Sequence, residues 1–176
     1  GMSLNVRKGK HYTEMDYGFN QKTLDISAMS LHRVLRTAWD MDALNEWGSV
    51  VALTYIAAQR VFPDYNEMAD AKALLESVTR SFGYHYGVHK KVRVNTISQS
   101  PTPTTAGTGV KGFGGFLAYA EKMSPLGNAT ALECADYTIT LFSDLTKKVT
   151  LQNLFHDGGF SNMGISDVIM ENFNKE

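Results

Sequence analysis

Apolar positions recur at three- and four-residue steps from Thr23 to Trp47, through Leu24, Ala28, Leu31, Val34 with Leu35, Ala38, Met41 and Leu44. This period predicts an amphipathic helix, closed by Gly48. Ser49-Val-Val-Ala-Leu-Thr-Tyr55 then forms an almost unbroken apolar, β-branched run. It lacks alternation, so it predicts a strand covered on both faces. A second helix is expected from about Tyr65 to Tyr86, and a second strand over Val92–Ile97. Residues 98–108 contain Pro101, Pro103, Gly107 and many Ser and Thr, the composition of a loop. A short helix is expected over Val110–Lys122. Thr130, with Glu133 three residues on, reads as a capping box opening a helix through Leu141. A last strand, Val149–Phe155, runs into His156-Asp-Gly-Gly159.

Helix, strand, helix, strand, two helices and strand is the order of an α/β chain with a parallel sheet. The expected architecture is about three strands with flanking helices. Residues 1–22 read as an irregular N-terminal segment, 23–160 as the α/β part and 161–176 as a C-terminal tail. With 176 residues, 43% hydrophobic and 20% charged, the chain can bury a core without a disulfide or metal staple. A formal charge of −1 argues against nucleic acid or an anionic membrane as a partner. The single Cys134 rules out an intrachain disulfide and fits a reducing compartment. With no long apolar run and no leader pattern, a cytoplasmic location is expected. Gly1 before Met2 looks like a scar from a cleaved tag. Three strands are few, however, because six βα units of roughly 30 residues already need about 180.

Gly107-Thr-Gly109-Val-Lys-Gly112 spells G-x-G-x-x-G, but it follows no strand directly, so a glycine-rich loop is the better reading. His85 and His89 have i,i+4 spacing with no third ligand in pattern, so a solvated helix end is favoured and no metal site is expected. Cys134 reads as a small buried hydrophobe. Tyr65 and Lys72 stand seven apart. Two helical turns would put them on one face, about 10 Å apart along the axis. An ammonium near a phenol lowers the phenol's pKa, which suits a tyrosine facing a developing oxyanion. Tyr84 and Lys91 repeat the spacing, so the pair depends on its surroundings.

Those surroundings, Tyr55-Ile-Ala-Ala-Gln-Arg-Val-Phe-Pro-Asp-Tyr65-Asn-Glu-Met-Ala-Asp-Ala-Lys72, resemble the active-site segment of bacterial NADH-dependent enoyl-acyl-carrier-protein reductases, within the short-chain dehydrogenase/reductase superfamily. The shared pattern is a tyrosine, a second tyrosine ten residues on and a lysine seven further. Position 69 is Ala, so the tyrosine-to-lysine spacing of an ordinary ketoreductase is not met at Tyr65. The resemblance continues through Val92–Pro101, Thr104–Lys111, Ser124-Pro-Leu-Gly127 and Phe155–Phe160.

The resemblance implies a Rossmann-like fold and reduction of trans-2-enoyl thioesters on acyl carrier protein, in fatty-acid biosynthesis. NADH is the implied cofactor, with NADPH left open. By matching position, Tyr65 would hydrogen-bond the thioester oxygen, Lys72 would hold the nicotinamide ribose, and Tyr55 would sit beside the acyl pocket. Thr102, Pro103, Thr104, Thr105 and Ala106 match the cofactor-binding stretch. Met68, Val110 and Phe113 match the apolar pocket wall, and Ser3 matches a substrate-side position. Gly114 and Gly115 stand where some members carry basic residues suited to a carrier protein. The family's first four strands and its phosphate loop would precede Met2. The expectation is therefore the C-terminal part of such an enzyme, truncated and inactive alone. The alternative is a non-catalytic α/β fragment persisting as a homo-oligomer, a dimer or tetramer, through the uncovered edge of Ser49–Tyr55.

Overall fold

The structure, a computed structural model, describes residues 11–104 and 112–174. Three parallel strands form one sheet in the order β1 (Ser49–Thr54), β2 (Arg93–Gln99), β3 (Asn153–His156). Ser49 pairs with Arg93 and Thr54 with Ser98, while Thr96 pairs with Asn153 and Gln99 with His156. β2 is central and buried along nearly its whole length, as a strand covered on both faces should be. The expected three-strand parallel α/β architecture is therefore present.

The first helical stretch departs from its periodicity at both ends. α1 (Tyr17–Leu24) and α2 (Ser30–Asp40) are joined through a π-helical turn, Asp25–Met29. The start precedes residue 23 because Asp16 caps the helix, its carboxylate accepting from Phe19 N–H at 3.0 Å. The helix stops well before Gly48, since Asp42 and Trp47 both take left-handed backbone angles, φ 51 and 62. Leu35 of α2 packs with Tyr86, Val92 and Val94, and the Tyr86 hydroxyl donates to the Leu35 carbonyl at 2.8 Å.

α3 (Glu67–Lys90) crosses from β1 to β2 and packs on both. It runs four residues beyond Tyr86, ending where Lys91 adopts a left-handed conformation. His85 and His89 are exposed on it, His89 lying against the Trp39 ring. α4 (Phe113–Met123) and α5 (Ala131–Phe142) connect β2 to β3. The Thr130–Glu133 capping box forms as expected, with Glu133 N–H donating to Thr130 Oγ1 and Thr130 N–H donating to the Glu133 carboxylate. Cys134 is half-buried rather than fully enclosed.

The third strand is shorter than its apolar run. Leu151 has φ 63, which breaks the extended backbone. The buried Asn95 side chain takes over from the ladder there, donating to Val149 O and accepting from Gln152 N–H. After β3, the Asp157 carboxylate accepts from the N–H groups of Gly159 and Ser161. Gly158 has φ 62, and a Cβ built on it would lie 1.9 Å from the Gly127 carbonyl oxygen. The segment after Phe160 is not wholly irregular, because α6 (Asp167–Met170) packs on α4.

Candidate active site

The carboxyl ends of parallel strands are where open α/β sheets carry their sites. Here that edge holds Tyr55, directly after β1, while the following turn carries Tyr65 and α3 carries Lys72. Tyr65 does not lie in the helix: its N–H donates to Phe62 O at 2.9 Å in the turn that precedes α3. Asn66 then has φ 46 and ψ −131, so the path into the helix is bent and the straight two-turn spacing to Lys72 does not apply. A buried non-glycine residue in this region stores about 1–3 kcal/mol of strain, and such outliers cluster at functional sites. The consequence for Tyr65 is an orientation set by the turn rather than by the helix.

The Tyr55 and Tyr65 rings meet at 5.2 Å between centroids. Phe62 lies 5.5 Å from Tyr55, and Phe116 lies 5.5 Å from Phe62 and edge-on to Tyr55 at 6.3 Å. Phe160 extends the cluster, 6.3 Å from Phe62 and 6.5 Å from Phe116. Three of these rings, Phe62, Phe116 and Phe160, escaped the sequence reading. A signal existed in the case of Phe116, one helical turn after Phe113, but nothing local announces that Phe62 and Phe160 meet.

Burial raises the Tyr55 phenol far above its usual range, with the negative charges that Tyr65 and Asp157 can carry adding to it. Burial likewise pushes Tyr65 up to about 12. The expected lowering of this phenol by Lys72 is overturned: desolvation governs, and the Lys72 ammonium is engaged elsewhere, donating to Leu53 O at 2.9 Å. Lys72 itself is lowered from the ordinary lysine value by burial, with the Glu76 carboxylate pulling the other way. The sign for stability follows directly. An unfolded tyrosine ionises near pH 10. The Tyr65 contribution is therefore full below about pH 10 and is lost as pH rises toward 12. Urea midpoints measured across that window should fall with pH, and Tyr65→Phe should flatten the fall.

The remaining candidates are more dispersed. Met68 is buried, and its sulfur accepts from Ser27 Oγ at 3.8 Å, which ties it to the π-helical turn. Phe113 is half-buried at the start of α4. The Thr102 hydroxyl lies 3.1 Å from Ser100 O and 3.3 Å from Ala129 O, so it fastens its loop to the α4–α5 connection. Pro103 and Pro101 line a cleft of about 370 Å³ together with Leu117, Glu121 and Asn128. Thr104 is exposed. Ser3, Thr105, Ala106 and Val110 lie outside the described residues, as does most of the G-x-G-x-x-G run.

Comparison with known proteins is consistent along the chain. The family model described as enoyl-(acyl carrier protein) reductase matches residues 1–161. The NADH-dependent FabI of Bacillus cereus is 38% identical over 141 residues, covering 80% of this chain and 54% of that protein. The FabI of Rickettsia bellii is 33% identical over 173 residues, covering 96% of this chain and 64% of that protein. The crystal structure of an Alistipes finegoldii FabI–NADH complex superposes with a TM-score of 0.95 at 63% identity, covering 99% of this chain and 62% of the other. The chain thus spans between about half and two thirds of the length of these relatives. Its sheet, its tyrosine–tyrosine–lysine segment and the family match across residues 1–161 lead to one assignment: the chain belongs to the enoyl-(acyl carrier protein) reductase family.

Proposed function

We propose that this chain carries the acid and charge-stabilising side chains of an enoyl-acyl-carrier-protein reductase of fatty-acid biosynthesis, acting on trans-2-enoyl thioesters with NADH. The observation that carries this reading is the Tyr55 phenol. Its oxygen is buried with no hydrogen-bond partner among the described residues, directly beside the Tyr65 ring. A buried hydroxyl left unpaired costs about 1–3 kcal/mol, which a ligand oxygen would relieve.

The residues fit the cofactor in kind. A lysine has three N–H donors, and Lys72 spends one on Leu53 O, leaving donors for ribose hydroxyls. NADH, when bound, supplies a hydride to the β-carbon of the thioester. Tyr65, kept un-ionised by burial, hydrogen-bonds the thioester oxygen as negative charge develops there and holds a proton for the enolate. Lys72 adds positive charge to the same region. Tyr55, Phe62, Phe116 and Phe160 give the acyl chain an aromatic wall and exclude water. The test is oxidation of NADH, followed by its absorbance, on adding a crotonyl thioester to the chain. Substrate-dependent oxidation supports the reading and overturns the expectation that the chain is inactive alone; none at any enzyme concentration overturns the reading for this chain.

A second reading concerns assembly. β1 has no strand on its outer edge among the described residues, and Leu53 there is half exposed. Unpaired backbone groups on such an edge favour pairing with a second copy. Light scattering should find a dimer or larger species, and a monomer at high concentration refutes it.

A further inference from the structure

Outside the aromatic cluster, a buried polar group lies one helical turn beyond Lys72. Glu76 is 4% exposed. Its carboxylate accepts from Thr54 Oγ1 at 2.9 Å, from Gln59 Nε2 at 3.0 Å and from Asn153 Nδ2 at 3.2 Å. Among the described residues three donors and no acceptor converge on it, which matches a group that can only accept. They come from the last residue of β1, from the segment between Tyr55 and Tyr65, and from the first residue of β3. Glu76 therefore ties together three stretches of chain. One of them, the end of β1, also carries the Leu53 carbonyl on which Lys72 rests.

A buried carboxylate needs a compensating charge. Lys72, four residues earlier on α3, interacts with it electrostatically, and i,i+4 residues of a helix share a face. The charged groups on the other elements packed against α3 are engaged elsewhere or exposed, Arg36 and Asp40 of α2 pairing with each other. Asp25 of the π-helical turn pairs with Arg33 of α2. Arg93 of β2 donates to the carbonyls of Leu141 and Thr146, and β1 carries no charged residue. Lys22 of α1 is exposed. From the turn before α3 come the phenols of Tyr55 and Tyr65, which burial keeps neutral. On α3 itself, Asp70 accepts from the Tyr12 hydroxyl and Glu67 lies buried in the first turn.

We propose that Glu76 is a positioning residue of this site: its buried carboxylate clamps the end of β1 to α3 and β3, and serves as the counter-charge of Lys72. The proposal deepens the reductase reading and rests on it for its catalytic meaning, but its test does not use turnover. Lys72 in the intact chain is acylated by acetic anhydride as a function of pH, with the labelled peptide quantified by mass spectrometry. Glu76→Gln keeps the side chain's shape and removes its charge. In this variant Lys72 should lose its proton at lower pH, so that its labelling near neutrality rises by more than about twofold. Labelling within twofold of the parent chain overturns the proposal.

If Glu76→Gln does not fold, Lys72→Met is measured instead. The carboxylate then lacks its counter-charge, so the Tm should fall by more than in Lys72→Arg, which keeps the charge. Equal losses in the two variants overturn the proposal. A labelling shift in a chain that turns over no thioester would leave the clamp standing and remove the reductase reading alone.

Discussion

Tyr65→Phe is expected to lower kcat/KM for an enoyl thioester by about a hundredfold to ten-thousandfold, the range associated with loss of one positioned acid group. The substitution removes one oxygen and leaves the ring packed 5.2 Å from Tyr55, so the turn before α3 and the strained Asn66 backbone should survive it. If the hydroxyl acts on charge that develops only as the bond to the β-carbon forms, kcat and kcat/KM should fall together while KM stays nearly constant. A rise in KM alone would mean that Tyr65 holds the thioester in its ground state. Because the phenol is pushed up to about 12, it stays protonated through neutral and mildly alkaline pH, and any turnover by the parent chain should show no loss from Tyr65 ionisation there. Tyr84→Phe is the control. Tyr84 repeats the seven-residue spacing to a lysine but is exposed on α3, and its replacement should leave kcat/KM within twofold. Retention of parent activity by Tyr65→Phe would remove the assigned role.

Gly158→Ala is expected to destabilise the fold by about 3 kcal/mol or more, for two reasons that act together. The residue has φ 62, a region where a side chain is strained. The new methyl would also meet the Gly127 carbonyl oxygen at 1.9 Å, and both partners are backbone, so neither can step aside by changing rotamer. The Gly158 carbonyl accepts from Leu126 N–H at 3.1 Å, so relief of the clash would cost that bond too. Urea denaturation followed by circular dichroism measures the loss. Gly114→Ala should do the opposite: it lies in α4 with nothing within 4 Å of the added carbon among the described residues, and alanine in a helix is favoured by about 0.5–1 kcal/mol. A Gly158→Ala protein as stable as the parent would show that the connection between α4 and α5 is free to move.

The three strands and the long helices were legible because each is fixed by a local rule: an unbroken apolar run, a 3.6-residue period, or a Thr–Glu capping box. The failures occur where a distant contact or one backbone angle overrides the period. Nothing local says that Asn66 takes φ 46, so Tyr65 read as a helical residue although it belongs to the turn before α3. Val149–Gln152 read as strand because its apolar character is genuine. The Asn95 side chain, 57 residues upstream of Gln152, replaces the ladder there. At the site, the tyrosine–tyrosine–lysine pattern stood out in the sequence, but its electrostatics did not. Spacing suggested a phenol lowered by a cation, whereas burial dominates and raises it. The rings around Tyr55 come from the segment after β1, from α4 and from the chain after β3. Such a wall is invisible until the sheet brings those segments together.

The π-helical turn at Asp25–Met29 gives the first helix a tolerance that its neighbours lack. A turn of this kind holds one residue more than an α-helix needs. Deleting one residue between positions 25 and 29 would let the helix close to its ordinary pitch, with α1 and α2 presenting the same sides as before. Deleting one residue inside α2 would instead rotate every later position by about 100°. Leu35 would then swing off the Tyr86 ring it packs against, and its carbonyl would leave the Tyr86 hydroxyl. The widened turn is thus a point at which chain length can change by one while the packing on either side stays in phase.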